Sequence, residues 1–236
     1  MNLYDRYLDD IQELLEPFPG TKLSTGAAGW PDAGNGNMVL RRDMAFELGG
    51  SGLPAVGGIG FTDRSVDDEG IWLYGPDLAE IREDQPFARI VVAGVDVGQL
   101  PDRESIQKAY NIFRSIEYEK YHVGPQGYMM RISVSGNREP VRVSRESLQT
   151  GLDFGKVGDI FVRAYRKHPE VRQVKVIFVT DPEFPYDRLA EVISHMELVT
   201  DSLDYIFKNI KMDCTSCVMK PVCDEVEGLR ELHQEQ

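Results

Sequence analysis

The run Val174–Val179, in which Lys175 is the one polar residue, constrains the fold most. A nearly continuous apolar stretch of this length, bounded by charge and closed by Asp181-Pro182, marks a buried central strand. Apolar residues at helical spacing stand on either side of it. Val157, Ile160, Phe161, Ala164 and Tyr165 precede it, and Leu189, Val192, Ile193, Met196, Val199, Leu203, Ile206 and Phe207 follow it over residues 187–210, as one long helix or two shorter ones. Strand–helix alternation of this kind predicts an α/β or α+β layered sheet with helices packed on it.

The rest of the chain is consistent with that class. Leu3, Tyr7, Ile11 and Leu14 predict an amphipathic helix over residues 2–16, ended by Pro17 and Pro19. Residues 20–37, rich in Gly, Ala, Asn and Asp, read as a loop. Met38–Leu48, Gly58–Thr62, Ile71–Tyr74 and Ala88–Val97 form a β-rich part, and Ile106, Ala109, Tyr110, Ile112, Phe113 and Ile116 give a helix its apolar face. Tyr128–Val134 is a further strand. The expected organisation is an N-terminal helix and loop (1–37), an α/β region (38–210) with a sub-boundary near residue 100, and a cysteine-rich tail (211–236). The glycine-rich turn Gly49-Gly50-Ser51-Gly52 matches no phosphate-binding fingerprint and reads as a turn between strands.

Charge narrows the function. Against 39 acidic residues stand 26 basic ones, a net −13 spread along the chain, which argues against nucleic acid and anionic membranes as partners. No apolar run approaches the ~20 residues that span a bilayer. The N-terminus, Met1-Asn2-Leu3-Tyr4-Asp5-Arg6, lacks the basic start and apolar core of a signal peptide, so a cytoplasmic location is expected.

The chemistry concentrates at the C-terminal end. All 3 cysteines fall in Cys214-Thr-Ser-Cys217-Val-Met-Lys-Pro-Val-Cys223, an odd number too crowded for a disulfide framework. C-x2-C presents two thiolates from one turn, and Pro221 favours the bend that returns Cys223 to them. Iron–sulfur clusters and structural zinc share this ligand type, and both require a fourth ligand. His233 is the first candidate for it, with Asp213 and Asp224 as weaker oxygen donors. The bland alternative is three thiols packed at a helix end. Of the other histidines, His168 and His195 read as structural, whereas Tyr121-His122 lies in a less regular stretch open to a functional role. Arg131, Arg138, Arg142 and Arg145, with Arg163, Arg166 and Lys167, form a basic run that either balances local acids or recognises an anionic cofactor.

From Met38 to the end the chain resembles the middle region of the acetyl-CoA synthase (beta) subunit of the carbon monoxide dehydrogenase/acetyl-CoA synthase complex. The resemblance runs in order through Leu40-Arg41-Arg42-Asp43-Met44-Ala45-Phe46-Glu47-Leu48-Gly49-Gly50, then Tyr74-Gly75-Pro76-Asp77-Leu78 and Arg131-Ile132-Ser133. It continues through Val174–Asp181 to Asp213-Cys214-Thr215-Ser216-Cys217. It implies that Cys214 and Cys217 begin a set of four ligands for a [4Fe–4S] cluster. Cys223 comes after a shorter gap than in the family, and His233 stands at the spacing of the family's fourth cysteine. The later cysteine-glycine-cysteine segment that holds nickel in the family is absent from this sequence. The resemblance also implies coenzyme A binding near Arg131, with Tyr121-His122 where the family has a tryptophan.

Three functions are expected on these grounds. The first is an accessory protein with one [4Fe–4S] cluster, working in electron transfer beside carbon monoxide dehydrogenase/acetyl-CoA synthase or other redox subunits. The second is a non-catalytic module with a Cys3His zinc site. The third is acetyl-CoA synthase chemistry completed by a partner chain; whether the chain is itself an enzyme stays open.

Overall fold

The computed structural model describes residues 3–24, 29–36, 39, 41–50, 52–131, 137–208, 210, 216–226 and 229. Cys214 and His233 lie outside the described residues.

Among the described residues, eight strands form two sheets. The strands are β1 (Gly20–Leu23), β2 (Ala45–Leu48), β3 (Ala55–Thr62), β4 (Gly70–Tyr74), β5 (Phe87–Val95), β6 (Tyr128–Met130), β7 (Val141–Ser144) and β8 (Val171–Val179). The larger sheet has the order β1-β4-β8-β5-β3, so the apolar run that includes Val174–Val179 is its central strand. β8 runs parallel to β4 and antiparallel to β5, β3 is parallel to β5, and β1 is antiparallel to β4. The sheet takes strands from both sides of residue 100. The smaller sheet, β2-β7-β6, is antiparallel throughout.

Six helices among the described residues complete the α/β architecture: α1 (Asp5–Leu15), α2 (Arg103–Tyr118), α3 (Arg145–Gln149), α4 (Phe154–Tyr165), α5 (Tyr186–Phe207) and α6 (Lys220–Glu225). The region after Pro185 is one helix, not two, because its apolar positions keep a single buried stripe from Leu189 to Ile206. No described helix is long and apolar enough to cross a membrane.

The faces of the large sheet can be assigned from its side chains. Gly57 and Arg89 are register partners, and the Arg89 guanidinium lies 4.8 Å over the Phe161 ring of α4. Phe178 stacks on Phe154 of α4 at 4.5 Å. α4 therefore covers that face. On the other face, a Cβ at Gly58 would meet Ile193 of α5 at 2.6 Å, and one at Gly60 would meet Met196 of α5 at 2.6 Å and Leu8 of α1 at 2.7 Å. α5 and α1 sit there, with α2 packed on α5. α1 is pinned by Asp5, which accepts a 2.8 Å hydrogen bond from Thr62 and meets Arg64 at 2.7 Å.

Two elements correct the sequence reading. Gly20–Leu23, expected as loop, is an edge strand whose side chains are mostly exposed, so hydrogen bonding to β4 rather than burial defines it. Within Met38–Leu48 the described strand is confined to Ala45–Leu48, because a 3-10 turn at Arg42–Met44 precedes it.

Candidate functional site

Cys217 and Cys223 stand on one bent segment. The Cys217 carbonyl accepts from the Lys220 amide at 3.2 Å, and the Cys223 amide donates to the Met219 carbonyl at 3.0 Å as α6 begins. Pro221 lies in the first turn of α6, where its missing N–H costs nothing. The chain thus turns between the two cysteines. Within the bend the Met219 amide donates to Cys217 Sγ at 3.4 Å, the type of contact that stabilises a thiolate and tunes a metal it holds.

The segment is docked on the fold. Met219, Val222, Val226 and Leu229 are buried, and both thiols are half-buried against the same core. Polar contacts accompany this packing. Glu225 Oε2 accepts a 2.7 Å hydrogen bond from the Tyr7 hydroxyl of α1 and lies 3.3 Å from His195 Nδ1 of α5. Burial and the adjacent Glu225 carboxylate push the Tyr7 phenol well above its ordinary range, so it stays a proton donor.

Two soft sulfur donors on a fixed turn suit a thiolate-preferring centre. Among the described residues no group of three His, Cys, Asp or Glu could hold a metal ion. The other two expected ligands, Cys214 and His233, fall outside those residues.

The residues expected to meet coenzyme A lie elsewhere. Tyr121 closes the 3-10 turn Glu119–Tyr121 after α2, is 37% exposed, and has its ring 5.9 Å from that of Tyr118. His122 follows it, also exposed. Arg131, just past β6, turns instead to Glu47 of β2 at 3.5 Å. Arg142 shares that carboxylate at 2.7 Å and donates to the Val39 carbonyl. Arg138 donates to the Gly49 and Leu53 carbonyls, and Arg145 lies 4.5 Å over the Phe46 ring. Arg163 and Arg166 pair with Asp159 and Glu69. Arg131, Arg138, Arg142 and Arg145 thus brace the small sheet and its neighbouring loop, Arg163 pairs within α4 itself, and Lys167 is exposed.

The sequence reading missed three features. The first is a buried triad: Arg89 of β5 meets Glu139 at 2.5 Å, and Lys120 meets the other Glu139 oxygen at 2.5 Å. Burial would raise the Glu139 carboxyl, but the two cations hold it below the usual range. The second is Glu197 of α5, which burial, Glu117 and Asp201 push up to about 7 against the opposing pull of Lys120. The third is an open cleft of about 520 Å³ lined by Trp30, Pro31, Val39, Gln126, Ser144 and Ser147. The Trp30 indole is fixed at its edge by a 2.8 Å bond from Nε1 to the Gln126 carbonyl. Charges dispersed over distant positions give no local signal for the first two, and the cleft depends on loops brought together by Asp32 and Gly124.

No curated protein matches this chain. The sequence model of one family, described as CO dehydrogenase/acetyl-CoA synthase complex beta subunit, matches residues 30–184. The match takes in the cleft, Tyr121, His122, Arg131 and the central strand, and it stops before α5, α6 and the cysteines. It covers well over half of the sequence, and the chain belongs to the CO dehydrogenase/acetyl-CoA synthase complex beta subunit family.

Proposed function

We propose that this protein is an accessory beta-subunit-like protein that carries one [4Fe–4S] cluster on Cys214, Cys217, Cys223 and His233. The observation that carries the reading is the bend that sets Cys217 and Cys223 on one docked segment, with the Met219 amide directed at Cys217 Sγ. Such a cluster supplies one-electron redox chemistry, or a labile coordination position where its fourth ligand is weak. The chain's own residues do the rest. The thiolates hold the metal, the Met219 N–H stabilises sulfur charge, and the half-buried setting limits water at the site.

A one-cluster site of this kind suits electron transfer better than assembly of acetyl-CoA. Other subunits of a carbon monoxide dehydrogenase/acetyl-CoA synthase complex, or another redox protein, are the partners this reading implies. Coenzyme A binding remains part of it, with Tyr121, His122 and Arg131 as the residues to vary. The exposed ring of Tyr121 supports it as a stacking surface.

The test is anaerobic purification with the visible spectrum and a joint assay of iron, sulfide, zinc and nickel. Iron and sulfide with a broad absorption near roughly 400 nm support the cluster. Stoichiometric zinc without colour replaces it with a structural Cys3His site. Bound nickel points to synthase chemistry completed with a partner chain.

A further inference from the structure

Helix α6 spans 6 residues, too short to hold its own place. Its position is imposed by what it touches. Burial of Val222 fixes its depth but leaves it able to slide or turn, since apolar contact is non-directional. A hydrogen bond is directional. The Tyr7 hydroxyl reaches Glu225 Oε2 at 2.7 Å, and His195 Nδ1 stands 3.3 Å from the same oxygen. The Tyr7 and His195 rings meet edge-to-face at 5.8 Å, so each fixes the other's plane.

Glu225 comes two residues after Cys223, about half a helical turn on. A rotation of α6 that moves one therefore redirects the other. Tyr7 is 1% exposed, and a phenylalanine would fill the same space. What the hydroxyl adds is the bond to α6. α1, α5 and α6 all lie outside residues 30–184, so the seat is built from parts of the chain that the family match does not include.

We propose that Tyr7 and Glu225, with His195 beside them, form a latch that positions Cys223 relative to Cys217. Its role in metal capture rests on the cluster reading above, whereas the positioning itself does not.

The test uses the full chain, anaerobically, as Tyr7→Phe, Glu225→Gln and Glu225→Ala. Cobalt(II) affinity is measured by chelator competition and the cobalt–thiolate spectrum. The rate of iodoacetamide alkylation at Cys223 relative to Cys217 is measured in the metal-free protein. Tyr7→Phe and Glu225→Ala are expected to weaken cobalt binding by at least about tenfold. They are also expected to raise relative alkylation of Cys223 while the thermal midpoint stays within a few degrees. Glu225→Gln keeps an acceptor and is expected to lie near the native protein in both readouts. If Tyr7→Phe fails to fold, Glu225→Ala, at a partly exposed position, carries the same comparison.

Native-like cobalt affinity and alkylation in both disruptive variants overturn the latch and leave the cluster reading standing. A native protein that binds neither cobalt nor iron, but whose variants alkylate faster at Cys223, overturns the cluster reading and supports the latch. No metal binding and no change in alkylation overturn both.

Discussion

Arg89 and Glu139 meet at 2.5 Å inside the protein, between the large sheet and α4, with side chains 2% and 5% exposed. Lys120 completes a triad with two positive charges and one negative. Removing the shared carboxylate would leave two cations without their counter-ion in a low-dielectric interior. Glu139→Ala is therefore expected to cost about 3–5 kcal/mol, measured as the shift of the urea midpoint at constant slope. Arg89→Met, which removes one of the two cations and keeps the apolar bulk over Phe161, is expected to cost less. An equal cost for the two would show that packing rather than charge balance dominates.

Glu197 gives a pH dependence of stability with a defined sign. Its carboxyl rises from 4.5 to about 7 through burial and the neighbouring Glu117 and Asp201, with Lys120 partly opposing. The folded state thus binds a proton more tightly than the unfolded chain does. The stabilising proton is fully in place below the unfolded value of about 4.5 and is lost as pH rises through about 7. Stability from this group should fall across that window, and Glu197→Gln should flatten the slope. Partial exposure screens the effect, so a gain of roughly 1–2 kcal/mol for the variant at pH 8 is expected. Denaturant titrations from pH 5 to 8 measure it, and parallel curves for the two proteins would assign the pH dependence to other groups.

What the sequence exposed and what it hid follow from the range of the forces involved. The central strand was legible because Val174–Val179 is apolar but for Lys175, a signal that needs no knowledge of neighbours. The bend between Cys217 and Cys223 was legible because Pro221 and the spacing are local. β7, Val141–Ser144, carries Arg142 in its middle, and its pairing with β2 is settled by Glu47, 95 residues away. Arg89 sits in a strand that otherwise reads as apolar, and nothing near it announces Glu139. Tyr7 shows the same limit, since helical periodicity places its ring in the core but gives no hint of an acceptor 218 residues later.

The close contact of sheet and helices predicts a steric cost at β3. Gly58 has no room for a side chain: its Cβ would stand 2.6 Å from both Cδ1 and Cγ2 of Ile193. Ile193 is fully buried on α5, so it has little space into which to yield. Gly58→Ala is expected to destabilise by about 1–3 kcal/mol through overpacking. Combined with Ile193→Ala, it should cost less than the sum of the two single changes, because the second change opens the volume the first requires. A double variant whose cost is the sum of the single ones would show that α5 does not rest on β3 at this point.

Serine substitution separates ligand loss from unfolding at the cysteines of the proposed cluster. Serine has nearly the size of cysteine, and at position 217 its hydroxyl can still accept the Met219 amide that now meets Sγ at 3.4 Å. The turn into α6 should therefore survive Cys217→Ser, while the soft donor is lost. The same holds for Cys223→Ser, whose backbone amide continues to bond the Met219 carbonyl. Each variant is expected to lose most of its anaerobically reconstituted iron and sulfide, with a thermal midpoint of the metal-free protein close to native. His233→Ala should retain more metal than either, since water or an added thiol can take one coordination position on a three-thiolate cluster. Its spectrum should change on adding a small thiol, and a native spectrum unaffected by thiol would move the fourth ligand to another residue.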